Sequence, residues 1–112
     1  MMERGEIYIC AQKGPYSGKP RAMVIVQTNR SMNAFDSVLV CPFTTYYLED
    51  APDRPRIVPT DLNGLQKDAY LMTDKITAMH RDNCRHKIGR LSRQDMWQLE
   101  HALCAAFELP CF

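Results

Sequence analysis

The chain has 112 residues and a formal net charge of +1, a length that favours a single domain over residues 1–112 with room for one apolar core rather than two. Hydrophobic residues make up 46% and charged residues 24%, the profile of a soluble globular protein, and no apolar run approaches the ~20 residues of a membrane span. Met1-Met2-Glu3-Arg4-Gly5-Glu6 carries acids with no apolar run behind them, so no signal peptide and a cytoplasmic location are expected.

In chain order, Glu6 to Ala11 reads as a strand with Ile7 and Ile9 on one face and Tyr8 and Cys10 on the other. Residues 12–20 hold Gly14, Pro15, Ser17, Gly18 and Pro20 and predict a loop. Met23 to Thr28 and Ser37 to Phe43 are apolar and β-branched, the pattern of buried strands, with Pro42 expected near a strand end or bulge. Tyr46 to Pro55 is a long polar loop, Arg56 to Pro59 a short strand, and Asn63-Gly64 a turn signal. Tyr70 to Met72, Ile76 to Met79 and Lys87 to Leu91 complete the strand candidates. A helix follows, opened by Ser92 with Asp95 three residues on, carrying an apolar stripe of Met96, Leu99, Leu103, Ala106 and Phe107, and closed by Pro110. Trp97 and Cys104 sit beside the stripe, as core or against a partner subunit. The pattern predicts a mainly β, α+β domain of five to seven short strands with one C-terminal helix.

The five cysteines are odd in number and include no Cys-x-x-Cys, which argues for reduced thiols over a disulfide framework. Cys10, Cys41 and Cys104 lie in apolar runs and read as small buried hydrophobes, and Cys111 as exposed. Net charge selects no partner, but its distribution is uneven. Glu49, Asp50, Asp53, Asp61, Asp68 and Asp74 make the middle acidic, whereas residues 75–94 hold Lys75, Arg81, Arg85, Lys87, Arg90 and Arg93 against Asp82 alone. Such a segment reads either as a phosphate-binding face or as a solvated surface.

Three stretches carry a resemblance: Arg4-Gly5-Glu6-Ile7-Tyr8; Gly18-Lys19-Pro20-Arg21 leading into an apolar strand that ends at Gln27; and Val38 to Cys41 leading into Pro42-Phe43-Thr44-Thr45. In order and spacing they resemble the MazF/PemK toxins of bacterial type II toxin–antitoxin systems. The resemblance implies an SH3-like barrel with the last helix packed on it, and a metal-independent endoribonuclease with no cofactor. It implies that Arg21 and Thr44 are catalytic, with Thr45 able to replace Thr44 if the register slips by one. Ala22 stands where the family usually has proline, and Lys75 where a polar amide follows the acid at Asp74. Asp74 is expected to anchor a loop near the site or orient a catalytic group.

The implied reaction is attack of a 2′-hydroxyl on its own phosphodiester in single-stranded RNA, leaving a 2′,3′-cyclic phosphate and a 5′-hydroxyl and so inhibiting translation and growth. A fixed guanidinium suits the charge that grows on the phosphoryl oxygens. Lys19, Lys75, Arg81, Arg85, Thr45 and Tyr46 are the candidate RNA contacts, with Tyr46 and Tyr47 able to stack unpaired bases. Specific readout is expected from loops 12–20 and 46–56. Among the histidines, His80 and His86 compete for an acid–base role and His101 reads as structural or exposed. His80, Cys84 and His86 do not have an established zinc spacing, so no metal is assigned. By resemblance the chain forms a homodimer with its RNA groove at or near the interface, and a MazE-like antitoxin with an acidic, disordered segment binds there. Two other readings stay open: a CcdB-like gyrase-binding toxin, whose Trp-Gly-Ile tail is missing from Leu109-Pro110-Cys111-Phe112, and a catalytically inactive binding homologue.

Overall fold

The computed structural model describes residues 1–11, 19–51 and 53–111. Among these, seven strands precede one α-helix: β1 (Glu6–Cys10), β2 (Arg21–Ile25), β3 (Ser37–Thr44), β4 (Arg56–Ile57), β5 (Ala69–Leu71), β6 (Thr77–His80), β7 (Cys84–Arg90) and α1 (Arg93–Phe107). Single 3-10 turns at Asn29–Ser31, Thr73–Lys75 and Arg81–Asn83 bridge them. Every pairing is antiparallel, in the order β4-β5-β3-β2-β1-β7, with β6 also on β3. The result is a strongly curled sheet with one C-terminal helix, as the strand pattern predicts. No helix among the described residues is long and apolar enough to cross a membrane.

β3 makes the curl. One of its edges runs along β2, while the other carries β6 on Ser37–Val40 and β5 on Phe43 and Thr44. Pro42 sits where that outer edge changes partner. Its carbonyl accepts from the Met72 N–H at 2.9 Å, so the N–H it lacks would also face this edge rather than β2. A proline is tolerated where no ladder bond is required of its nitrogen.

The buried apolar residues divide into two clusters, which corrects the expectation of one core. Ile7, Val24, Cys41, Phe43, Ile57, Ala69, Leu71, Leu91 and Leu99 form the first, beneath α1. Cys10, Met23, Ile25, Met32, Val38, Val40, Met79 and Cys84 form the second. The cause is the pleat. β1, β2 and β3 are apolar on both faces, and registers such as Ile7↔Val24↔Cys41 and Tyr8↔Met23↔Pro42 send alternate residues to opposite sides. Curling covers one face with the helix and the other with β6, β7 and the 29–32 turn.

α1 begins as the sequence predicts: the Ser92 hydroxyl accepts from the Asp95 N–H at 3.1 Å. Its stripe is buried only in part. Leu99 is fully buried with Met96 and Leu103 packed against the first cluster, but Phe107 and Trp97 are each 56% exposed. The stop also differs from the expected Pro110. Glu108 turns left-handed at φ 55°, and the Leu109 N–H reaches back to the Cys104 carbonyl at 2.8 Å. That reversal folds the tail onto the last turn and joins Cys104 to Cys111 in a disulfide, their Cα atoms 6.0 Å apart. The expectation of reduced thiols throughout is corrected here, because a pairing across a helix end has no spacing motif. Cys10, Cys41 and Cys84 are free and buried. Burial pushes the Cys41 thiol up to about 12, with Asp74 adding to the effect, so it is inert at neutral pH.

Candidate functional site

Arg21 opens β2 and Thr44 closes β3. Their strands pair antiparallel through Ile25↔Val40, Val24↔Cys41 and Met23↔Pro42, and the same register carried two residues outward sets Arg21 opposite Thr44. Residues opposite in a ladder share a face with side chains in reach of one another. One strand start and one strand end, about twenty residues apart in sequence, thus meet at one edge of the sheet. Both line a cleft of about 540 Å³ together with Pro20, Thr45, Lys67 and His86. Its floor is apolar: Ile9, Ala22, Phe43, Leu65 and Ile88. Arg21, Thr45, Lys67 and His86 are exposed and Thr44 is half-buried. The Thr44 hydroxyl accepts from the Tyr46 N–H at 3.2 Å, which leaves its own proton to be donated to a ligand.

The wall opposite Arg21 is the segment 64–67, held there by an asparagine. Asn63 is 1% exposed. Its amide nitrogen donates to the Val58 carbonyl at 2.9 Å, and its side-chain oxygen accepts from the N–H groups of Thr60 and Leu65, both at 3.0 Å. Gly64 follows at φ +69°, and a Cβ there would strike the Ile88 carbonyl. Across the contact, a Cβ on Gly89 would strike the Leu62 and Asn63 carbonyls. Two glycines therefore let loop and strand touch backbone to backbone, which delivers Gln66 and Lys67 to the cleft beside His86. Sequence reading finds the Asn63-Gly64 turn but misses Gln66 and Lys67 as site residues. The available signal was a lone lysine after that turn, inside an otherwise acidic stretch.

The other residues singled out from the sequence lie elsewhere. Asp74 does not line this cleft. It binds Arg54 through two hydrogen bonds of 2.8 and 2.9 Å, and the guanidinium holds its carboxyl below the usual carboxylate range. The Thr73 hydroxyl bonds the Asp53 carbonyl beside it. This fits the anchoring alternative and places the anchor at a second groove, lined by Leu48, Asp50, Asp53, Arg54, Ile76 and Phe107. Lys75 is exposed on the same 3-10 turn. Arg81 is committed to the Met32 carbonyl and to the Asn33 side chain at 3.2 Å. Arg85 is exposed on β7 and does not line the cleft. The basic run 75–94 is thus not one continuous face around Arg21. Lys87 is taken up by Glu6 at 2.8 Å. Burial pushes the Glu6 carboxyl up, but the bonds from Lys87 and the Glu3 N–H outweigh it and hold the group below its ordinary value.

Tyr46 and Tyr47 are both exposed, and Tyr47 packs its ring 5.3 Å from that of Tyr70. Lys19 is exposed at the start of the segment leading to Arg21. Residues 12–18 of the proposed readout loop lie outside the described residues, as does Pro52 of the other. His80 caps the 81–83 turn by accepting from the Asp82 N–H at 3.1 Å, while Cys84 is buried in the second cluster and His86 lines the cleft. The trio is therefore spread over three environments.

Residues 3–107 match the model of the PemK-like, MazF-like toxins of type II toxin–antitoxin systems. A protein of Mycolicibacterium smegmatis described as a probable endoribonuclease MazF is 43% identical over 102 residues, 91% of this chain and 93% of that one. Among solved structures, a mycobacterial endoribonuclease in complex with its cognate antitoxin superposes with a TM-score of 0.82 at 23% identity, over 100% of both chains. A chain of a MazE–MazF crystal structure from Deinococcus radiodurans gives 0.79 at 11% identity, over 97% of this chain and 98% of that one. At these identities the structural likeness establishes the fold.

Proposed function

The chain belongs to the PemK-like, MazF-like family of type II toxin–antitoxin toxins, and from that premise we propose that it is an endoribonuclease cutting single-stranded RNA at the cleft between Arg21 and Thr44. The observation that supports the reading is that Arg21 and Thr44, at the ends of two strands paired through Met23↔Pro42, line one open cleft. The attacking 2′-hydroxyl closes on phosphorus as the 5′-oxygen leaves, giving a 2′,3′-cyclic phosphate and a 5′-hydroxyl. Charge builds on the non-bridging oxygens during that step. Arg21 meets it bidentately, and Thr44 donates a hydrogen bond to one of them. A guanidinium and a hydroxyl supply this stabilisation without a metal. Lys67 and Lys19 guide the flanking phosphates, and Tyr46 offers an exposed ring to an unstacked base.

Supporting the wider assignment, the relatives include an endoribonuclease solved with its cognate antitoxin and a MazE–MazF complex. We assign this chain the same kind of partner, a MazE-like antitoxin with an acidic, disordered segment that folds over the cationic cleft. We also assign it a homodimeric state in the cytoplasm. The test is cleavage of a long single-stranded RNA in EDTA by wild type and Arg21→Ala, with end-group analysis. Discrete cuts with 5′-hydroxyl ends, lost in the variant, are expected. Uncut RNA from folded, antitoxin-free protein contradicts the assignment.

A further inference from the structure

Cys10 ends β1 and Cys84 begins β7, and the ladder between the two strands sets them directly opposite each other. Just beyond the pair, the Ala11 N–H donates to the Asn83 carbonyl at 3.0 Å. A bond at that place marks a non-hydrogen-bonded pair, where opposing Cα atoms lie about 4.5 Å apart and side chains come closest. Directly opposite residues share a sheet face. Here that face is the second apolar cluster, in which Cys10 is 1% and Cys84 8% exposed. A disulfide needs Cα atoms about 4.4–6.8 Å apart. The fold therefore holds two thiols, from opposite ends of the sequence, at the span that a bridge requires.

The two thiols are not equivalent. A hydrogen bond joins them. It draws the Cys84 thiol below its ordinary value against the effect of burial, and the Arg81 guanidinium adds to the lowering. The same bond, together with burial, pushes the Cys10 thiol up. Cys84, the more exposed of the two, is thus the thiolate-forming member and Cys10 retains its proton. Cys41 differs, since it lies in the other cluster and pairs with Val24.

We propose that Cys10 and Cys84 are an oxidation site, a dithiol that a small peroxide closes into a disulfide stapling β1 to β7. The inference is independent of the cleavage assignment. The Cys84 thiolate attacks one peroxide oxygen, and an S–O bond forms as the O–O bond breaks. The departing oxygen takes up the proton that Cys84 released and leaves as water. The Cys10 thiol then attacks the Cys84 sulfur. An S–S bond forms, the S–O bond breaks, and the second oxygen leaves as water with the Cys10 proton. The dithiol is oxidised and the peroxide is reduced to water. On its other side Cys10 pairs with Arg21, so the staple fixes the end of β1 against which β2 starts. It also closes a loop over most of the chain, and constraining so long an unfolded loop stabilises the fold.

The experiment treats reduced wild type, Cys10→Ala and Cys84→Ala with hydrogen peroxide, maps their non-reduced peptides, and records thermal unfolding before and after. A parallel set includes a dione that traps sulfenic acid. The Cys10 and Cys84 peptides are expected to be joined in wild type. The rise in Tm on oxidation should be larger in wild type than in either variant by about 10 °C, a difference to which the Cys104–Cys111 bridge, common to all three proteins, does not contribute. The dione should label Cys84 in Cys10→Ala and leave Cys10 unlabelled in Cys84→Ala. Unlinked Cys10 and Cys84 in peroxide-treated, folded wild type overturns the proposal, as does a linked form whose Tm rises no more than the variants'. Labelling of Cys10 in Cys84→Ala with none at Cys84 in Cys10→Ala overturns the order of attack. Should either variant fail to fold, the wild-type peptide map still decides whether the bridge forms.

Discussion

The cleft of Arg21 and the groove of Arg54 use their arginines in opposite ways. Around Arg54 the groove of about 730 Å³ is acidic, with Asp50, Asp53 and Asp74. There the guanidinium is largely buried and held by a bidentate carboxylate, its charge already satisfied. Among the described residues the cleft around Arg21 contains no carboxylate, and Arg21, Lys67 and His86 form no ion pair with any of them. An arginine paired within the fold contributes to stability. One facing an uncompensated cationic cleft keeps its charge for an anion that arrives from outside. The contrast teaches that charge density along the sequence is a weaker guide than what each charge already touches. Arg81 and Lys87 belong to the basic run, yet both are committed to internal partners.

The largest effect should come from the backbone contact that builds one wall of the Arg21 cleft. Gly89→Ala drives a methyl into the Leu62 and Asn63 carbonyls and should cost more than about 2 kcal/mol, read as a lowered urea midpoint, with cleavage falling in parallel. Next come two substitutions that separate the clefts. On the proposed reading, Thr44→Val removes a hydrogen bond to a charged phosphate and should slow cleavage by about 10-fold or more, with stability within about 0.5 kcal/mol of wild type. Arg54→Ala should do the reverse, lowering stability by about 1–2 kcal/mol through loss of a bidentate pair with the cleavage rate nearly unchanged. If Arg54→Ala abolished cleavage in folded protein, the division between the clefts would be broken.

The smallest effect is in pH. The folded-state value of Glu6 lies below its unfolded value of 4.5, so its contribution is fully present above about pH 4.5. It is lost as pH falls through the lowered folded value. Lys87→Met should remove about 1 kcal/mol or less at neutral pH and flatten the loss of stability below about pH 4.5, measured by denaturant titrations at several pH values.

Much of this was legible in the sequence because it rests on local signals. The β-branched runs give β2 and β3, Ser92 gives the start of α1, and the order of Arg21 and Thr44 about two strands gives the pair their register later brings together. What was not legible depends on contacts between distant segments. Lys67 reaches the cleft only because Gly64 and Gly89 admit a backbone contact across 25 residues. The second apolar cluster exists because β1, β2 and β3 are apolar on both faces and the curled sheet covers both. The Cys104–Cys111 bridge follows from a left-handed Glu108, a conformation that the sequence assigns to no particular residue. Asp74 carries the right charge for a site residue, and only its two bonds to Arg54 reveal its use.

The central claim is that RNA occupies the cleft of Arg21 and Thr44 and not the groove of Arg54. The most direct measurement is a side-chain and backbone NMR titration with a short single-stranded RNA made uncleavable by 2′-deoxy substitution. The account predicts shifts at Arg21, Thr44, Lys67 and His86 that diminish with added salt, with Arg54 and Asp74 unmoved. Shifts centred on Arg54 and Asp74, with Arg21 and Thr44 silent, would contradict it.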